Sequence, residues 1–185
     1  MIKGEFIGLR AIDPGDLWPL LRWRNNPNFR KHYREYRELT LIQQQEWFQQ
    51  MLKDPHMLMF SIVDNISCEG AEILIGCGGL TYINFVFRTA EISLYIGAKD
   101  LYLDDKFAPD AWRTLMRYGF EELGMNKLWV EAYEFDEKRI ALCHRFNFHQ
   151  DGKLRQNAFK NGVYLDSLIF SMLRNEWIDW DPRND

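Results

Sequence analysis

Residues 90–124, AEISLYIGAKDLYLDDKFAPDAWRTLMRYGFEELG, decide the fold. Apolar and polar residues alternate over 91–96, which predicts a β-strand. A polar loop then leads to Pro109 and Asp110, which suit the first turn of a helix. Apolar residues recur at helical spacing as far as Gly124, which stands where a glycine usually ends a helix. The stretch therefore predicts a strand, a loop and a long amphipathic helix.

The start of this helix is a candidate anion site. The first turn of a helix carries unpaired backbone N–H groups and about half a positive charge. The loop before it contains three aspartates and two lysines. We therefore expect a ligand with phosphates where the loop meets the helix.

The composition is that of one globular domain. The chain has 185 residues, of which 46% are hydrophobic and 27% are charged. It is long enough for one core and too short to assume two. We predict a single domain over 1–174 and a C-terminal tail over 175–185. The net charge of −4 gives no general basic surface, which argues against nucleic-acid binding.

Cysteine usage and hydropathy favour the cytoplasm. The three cysteines Cys68, Cys77 and Cys143 show no CxxC spacing, and their odd number fits a reducing compartment. The N-terminus alternates like a strand, and no window approaches the roughly eighteen apolar residues of a membrane span. We expect neither a signal peptide nor a transmembrane helix, and no metal site is predicted.

The rest of the chain predicts further strands and helices. A strand over 127–133 follows the long helix, so strand, helix and strand form a parallel βαβ unit. Asn161-Gly162 between two alternating runs predicts a type I′ hairpin. Other predicted elements are strands over 3–10, 57–63 and 72–83, and helices capped at Asp13, Thr40 and Asp136. Residues expected on the buried faces of the first two helices are Leu17, Trp18, Leu20, Leu21, Leu41, Phe48, Met51 and Leu52.

These elements predict an α/β fold of the α+β, mixed-sheet kind. The sheet has about seven strands, mostly antiparallel, with the one parallel βαβ unit, and about four helices flank it. Glycines inside the strand over 72–83 predict either a β-bulge or close packing against its backbone.

Short motifs along nearly the whole chain point to one family. They are Ile75-Gly76 and Gly79-Leu80, Ala90-Glu91-Ile92 and Tyr95-Ile96-Gly97, the helix residues Ala111, Tyr118, Phe120, Leu123 and Gly124, and the later residues Gly152, Leu154, Arg155, Phe159, Gly162, Tyr164, Asp166, Glu176 and Trp177. This pattern, in this element order, resembles the GNAT acetyltransferase superfamily. Within it, the pattern is most similar to the branch of ribosomal-protein N-terminal, spermidine and nucleotide-aminosugar N-acetyltransferases.

The resemblance implies a sheet that splays between the strands at Glu91 and Trp129 and holds acetyl-CoA. The pantetheine arm would pair with the strand backbone, and the diphosphate would lie on the loop and helix start. The residues implied for the cofactor are Ile92, Ser93, Leu94, Lys106, Phe107, Ala108, Asp110, Ala111 and, on a later helix, Asp136.

The phosphate loop departs from the family pattern, which has Arg or Gln, two residues, Gly, one residue, then Gly or Ala. Here Leu103 stands at the first position and Lys106 at the first glycine, and only Ala108 fits. Lys106 supplies a positive charge, whereas Asp104 and Asp105 are expected to repel a diphosphate by about 1 kcal/mol or more.

Acetyl transfer to an amine needs a base and a route for a proton. Glu91 is the candidate base, with an ion pair to an arginine as the alternative role, and Glu131 and Tyr82 are the next candidates. Alignment with the family places Cys143 at the position of a general acid, although a small buried core residue is the alternative interpretation.

The acceptor is expected to meet the segment after the first helix. This segment is dense in Arg and Tyr, and it is otherwise interpreted as a solvated basic surface. The candidate acceptor residues are Trp23, Arg24, Asn25, Arg30, Tyr33 and Trp47. All of them except Tyr33 resemble a pattern in aminosugar acetyltransferases of this branch.

We therefore predict an N-acetyltransferase that moves an acetyl group from acetyl-CoA to a primary amine of a small molecule, with a nucleotide-linked amino sugar as one candidate. The alternatives are a non-catalytic GNAT-like ligand-binding or regulatory protein, and a protein N-terminal or polyamine acetyltransferase. The protein is expected to be a monomer or homodimer.

Overall fold

A computed structural model describes residues 1–65 and 72–180, so Cys68 lies outside the described residues. The strands are β1 (Ile2–Lys3), β2 (Ile7–Ala11), β3 (Leu58–Asp64), β4 (Ile73–Asn84), β5 (Thr89–Ile96), β6 (Lys127–Tyr133), β7 (His149–Lys160) and β8 (Val163–Leu173). The helices are α1 (Leu17–Asn25), α2 (Pro27–Arg30), α3 (Leu41–Met51), α4 (Phe107–Arg117), α5 (Glu137–Arg145) and α6 (Arg174–Trp180). The strands hydrogen-bond in the order β1-β2-β3-β4-β5-β6-β8-β7.

Contacts divide the chain into two compact units. Unit 1 comprises Met1–Thr81 and Ser93–Leu115, and unit 2 comprises Tyr82–Ile92 and Met116–Asp185. Strands β4 and β5 and helix α4 contribute residues to both units.

Unit 1 contains one strand more than the N-terminal sequence predicted. The single expected strand over 3–10 is two antiparallel strands, β1 and β2, because the chain turns between them where Gly4 N donates to the Ile7 carbonyl (2.8 Å). Strands β2, β3 and β4 then pair antiparallel. This extra strand explains why residues 1–65 and 72–180 form eight strands where about seven were expected.

The helices of unit 1 confirm the predicted caps and correct some buried positions. The capping box of Thr40 and Gln43 is present at the start of α3. Trp18 is 58% exposed, not buried, because it points about 100° away from the face that Leu17, Leu20 and Leu21 bury. Leu41 and Leu52 are also exposed, since they lie at the two ends of α3.

Unit 2 contains the predicted parallel pair. Strand β5 pairs with β6 in parallel over Thr89–Glu91 and Lys127–Trp129. Strand β6 also pairs antiparallel with β8, and β8 with β7. At the β7–β8 turn, Asn161 and Gly162 have φ of 52° and 83°, which confirms the type I′ hairpin prediction.

The helix that begins with α4 ends as predicted. Residues Tyr118–Glu122, after α4, form a π-helical turn, and Gly124 follows this turn with a φ of +64°.

The C-terminal residues of the described chain form a helix, not a simple tail. In α6, Trp177 is 2% exposed and stacks on Phe120 with 5.9 Å between ring centroids. Helices α2 and α6 account for six helices where about four were expected.

In the part of the chain that the structure describes, no helix is both long enough and apolar enough to cross a membrane.

Candidate active site

The N-terminus of α4, in unit 1, is capped by a carboxylate of the chain itself. The helix starts at Phe107, not at the predicted Pro109. Asp104 accepts hydrogen bonds from the backbone N–H of Phe107 (3.1 Å) and of Ala108 (2.7 Å) through its two oxygens. An aspartate in this position satisfies donors that a helix otherwise leaves unpaired. These two N–H groups therefore already donate to a carboxylate of the chain, and they are not free to bind a diphosphate.

Asp110, in the first turn of α4, is also engaged. Its carboxylate accepts from the backbone N–H groups of Glu5 (3.0 Å), Phe6 (2.7 Å) and Ile7 (3.0 Å). A Cβ added at Gly4 would lie 2.5 Å from an Asp110 oxygen, so any side chain there would push this carboxylate from its position. The contact anchors the turn between β1 and β2 on α4.

Lys106 lies between two aromatic rings. Its ammonium group is 5.0 Å from the centroid of Phe6 and 4.9 Å from that of Phe107. These are cation–π contacts of an exposed side chain, which are worth about 0.5–1 kcal/mol. The remaining residues implied at this helix start, Ala108 and Ala111, are both fully buried.

Strand β5 is buried on both faces. Ile92 and Leu94 are buried, Ser93 is half-buried, and Tyr95 is buried as well. In unit 1, a Cβ at Gly78 of β4 would lie 2.7 Å from the Cβ of Leu94, which confirms the prediction that glycines in this strand pack closely against a neighbour.

Three of the predicted acceptor residues in unit 1, Trp23, Arg24 and Tyr33, lie in an aromatic cluster with Tyr95. Ring centroids of Trp23 and Tyr33 lie 6.4 and 5.6 Å from that of Tyr95. Burial raises the pKa of Tyr95 well above its ordinary value. Arg24 lies over the Tyr33 ring at 5.7 Å, and its buried Nε has no hydrogen-bond partner among the described residues. An aromatic cluster with one incompletely bonded guanidinium is therefore present.

The other predicted acceptor residues lie on the three helices α1, α2 and α3. The Asn25 side chain donates to the Leu39 carbonyl and accepts from the Leu39 N–H, both at 2.8 Å, so it ties α1 to the segment before α3. Arg30 ends α2, and Trp47 is half-buried on α3.

Sequence reasoning did not single out Phe29 and Tyr102 as members of the aromatic cluster. Phe29 is 6.5 Å from Tyr95 and 5.9 Å from Tyr102, between ring centroids. The signal that pointed to them was the unusual aromatic content of 15%, but aromatic content does not say which rings meet.

In unit 2, the candidate base Glu91 and the candidate Tyr82 are both neighbours of Trp129. Glu91 is 5% exposed and is the strand partner of Trp129 in the parallel pair. The ring of Tyr82 lies 6.1 Å from that of Trp129. Tyr82 itself is 61% exposed and has a φ of 48°. The third candidate, Glu131, accepts a hydrogen bond from Asn157 Nδ2 (2.8 Å).

The helix α5, also in unit 2, holds the last two candidates. Asp136 caps it, accepting from Arg139 N at 3.2 Å with the Arg139 guanidinium 3.5 Å away. Cys143 is fully buried, and this burial raises the pKa of its thiol to about 12. A thiol with so high a pKa is a weak proton donor, which favours the interpretation of Cys143 as a core residue.

Comparisons with known proteins agree with this architecture. The family described as Acetyltransferase (GNAT) domain matches residues 7–149. A putative ribosomal N-acetyltransferase of Bacillus subtilis is 35% identical over 103 residues, which are 55% of this chain and 55% of that protein. The chain thus matches about half the length of that relative.

Two further comparisons cover nearly the whole chain. A spermidine N(1)-acetyltransferase of Escherichia coli is 23% identical over 96% of this chain and 91% of that protein. The crystal structure of spermidine N-acetyltransferase from Vibrio cholerae in complex with CoA and spermine has a TM-score of 0.84 at 24% identity, covering 93% of this chain and 98% of that one. This likeness confirms the predicted fold class.

Since the family matches more than half of the chain, the resemblance found in the sequence is confirmed, and the chain belongs to the GNAT family of acetyltransferases.

Proposed function

We propose that this protein transfers an acetyl group from acetyl-CoA to a primary amine of a small molecule, and that a polyamine is the first acceptor to test. Membership of the GNAT family over residues 7–149 carries the proposal. The spermidine acetyltransferases that match almost the whole chain support the choice of acceptor. We place the reaction in the cytoplasm.

The residues of unit 2 supply the base. An amine attacks a thioester only in its neutral form, so the ammonium group must lose a proton first. In this proposal the Glu91 carboxylate takes that proton, directly or through water. Its burial beside Trp129 keeps the carboxylate away from bulk solvent, and the Tyr82 ring borders the same tryptophan.

The segment after α1 is dense in arginine, which would repel a positively charged polyamine. Part of this charge is balanced by a carboxylate within the segment. Arg37 donates two side-chain hydrogen bonds to Glu35, each 2.9 Å long. The hydrogen bonds from Arg37 lower the pKa of Glu35 to about 2, so this carboxylate is fully charged at neutral pH. Part of the positive charge of this segment is therefore already balanced within it.

A protein N-terminus is the second candidate acceptor. It is favoured by the 35% identity with the putative ribosomal N-acetyltransferase. A nucleotide-linked amino sugar, which the sequence suggested, is favoured only by Arg24, whose buried Nε lacks a partner among the described residues.

The experiment is an acceptor screen with purified protein and acetyl-CoA, read by release of free thiol and by mass spectrometry of the acceptor. Spermidine, a peptide with a free N-terminus and a nucleotide-linked amino sugar represent the three classes. We expect transfer to spermidine with the highest kcat/KM. Higher kcat/KM with either other acceptor reassigns the substrate class. If no amine is acetylated and calorimetry shows no CoA binding, the protein is a ligand-binding member of the family without catalysis.

A further inference from the structure

We infer that the Asp104 carboxylate occupies the place at the start of α4 that the family pattern gives to the donor's diphosphate, so that this chain recognises the acyl-pantetheine part of its donor. The inference rests on the proposed function, because it concerns the donor of that reaction. It makes Asp104 a residue that determines donor specificity.

The hydrogen bonds at the helix start carry the inference. Each oxygen of Asp104 accepts from one first-turn N–H group, at 3.1 Å for Phe107 and 2.7 Å for Ala108. A phosphate bound at a helix N-terminus would use the same donors and the same partial positive charge. A diphosphate therefore gains these contacts only by displacing a carboxylate that already has them.

The local charge opposes a diphosphate further. Between residues 104 and 110 the chain has three aspartates and one lysine, which gives a net charge of −2. Asp110 cannot turn away without leaving three backbone N–H groups of residues 5–7 without their acceptor. The one cation, Lys106, lies over the rings of Phe6 and Phe107, and it does not balance all three carboxylates.

The loop that carries Asp104 is anchored on its N-terminal side. The Tyr102 carbonyl accepts from Ile96 N at 2.7 Å, and the Tyr102 ring stacks on His32 with 4.0 Å between centroids. Leu103, directly before Asp104, is buried. The backbone directly before Asp104 is therefore held in place by a hydrogen bond, a ring stack and a buried side chain.

Two neighbouring aspartates make a matched test. Asp104 caps α4, whereas Asp105 is exposed and its carboxylate makes no hydrogen bond or ion pair among the described residues. Replacing either with alanine changes the net charge by the same amount, but only Asp104→Ala opens the two N–H groups. Asp104→Asn removes the charge and keeps a residue that caps well, so it controls for loss of the helix cap.

The experiment is calorimetry of CoA and of pantetheine with the wild type and these three variants, together with kcat/KM for acetyl-CoA and S-acetyl-pantetheine. For the wild type we expect the two thioesters to differ by less than about tenfold in kcat/KM. In Asp104→Ala we expect CoA to bind about tenfold more tightly, which is about 1.4 kcal/mol, with pantetheine binding unchanged. In Asp105→Ala we expect a change below about threefold, and in Asp104→Asn an intermediate gain.

Three results overturn the inference alone. The first is a wild type whose kcat/KM for acetyl-CoA exceeds that for S-acetyl-pantetheine a hundredfold or more. The second is an Asp104→Ala variant that remains folded and binds CoA no more tightly than the wild type. The third is an equal change in CoA affinity in Asp104→Ala and Asp105→Ala. If no form of the protein binds CoA or pantetheine or uses either thioester, the proposed function fails and the inference falls with it.

Discussion

The guanidinium of Arg10 and the carboxylate of Asp16 form a two-bond pair in unit 1, with N–O distances of 2.6 and 2.9 Å. The same carboxylate accepts from the Asp13 N–H (2.9 Å) and from the buried Ser61 hydroxyl (2.7 Å). One side chain thus joins β2, β3 and the turn that starts α1.

The first prediction concerns Asp16 and pH. Burial raises the pKa of Asp16, but the hydrogen bond from Arg10, with those from Asp13 and Ser61, outweighs burial and holds the pKa below its ordinary value. A lowered pKa in the folded state stabilises the protein above the unfolded pKa of about 4, and this stabilisation is lost as pH falls through the folded pKa.

Asp16→Asn should therefore lower the free energy of unfolding by about 2 kcal/mol at pH 7. Urea unfolding at pH 7 and near pH 3 measures it, and the difference from the wild type should shrink at the lower pH. An equal loss at both values of pH would show that the ionised carboxylate contributes nothing.

The second prediction concerns Asp110. Asp110→Asn retains one oxygen and places an NH₂ group against a backbone donor, so at least one of the three hydrogen bonds from residues 5–7 is lost. We expect a loss of about 2 kcal/mol and a fall in Tm of about 4–8 °C. Asp105→Asn, which changes the charge equally at an exposed site, should leave Tm within about 2 °C. Similar falls in both variants would mean that general charge, not the contact, sets the effect.

The third prediction concerns the candidate base. If Glu91 takes the proton from the acceptor amine, Glu91→Gln should lower kcat/KM at pH 7 by about a hundredfold or more. The pH optimum should move upward, because only amine already neutral in solution would then react. A pH–rate profile with the best acceptor of the screen measures both effects. An unchanged profile removes Glu91 from the mechanism, and Tyr82→Phe then tests the next candidate.

The fourth prediction concerns Cys143. Because burial raises the pKa of this thiol to about 12, we expect Cys143→Ala to keep kcat/KM within about threefold of the wild type. The loss of a buried sulfur should instead cost about 1–2 kcal/mol of stability. A fall in kcat of a hundredfold in a variant that remains folded would restore the thiol as the general acid.

The element pattern was predictable from the sequence because local rules governed it. The alternation in β5, the capping box at Thr40 and the Asn161-Gly162 turn each depend on residues close together in the chain. The βαβ unit followed from element lengths and from the handedness of such connections. The prediction of burial was wrong for Leu41 and Leu52, because they lie at the two ends of α3, where apolar side chains no longer face the core.

The candidate site was less predictable, because its contacts join distant residues. The sequence indicated Asp104 only as a charge that repels phosphate, because an aspartate three residues before the helix start at Phe107 is not at the usual capping position. It gave no sign that Asp110 would bind backbone groups more than a hundred positions away. The same holds for Tyr33, because the fold and not the sequence spacing places its ring beside the Tyr95 ring and the Arg24 guanidinium.

The contact between Asp110 and the turn at residues 5–7 also bears on the order of folding. The partners lie 103 to 105 positions apart, so during synthesis the turn emerges from the ribosome long before its carboxylate acceptor. At about 5–20 residues per second, the turn waits at least about five seconds for Asp110. The connection between β1 and β2 is therefore completed late, when α4 docks, and this early-made part of the chain depends on residues made long after it.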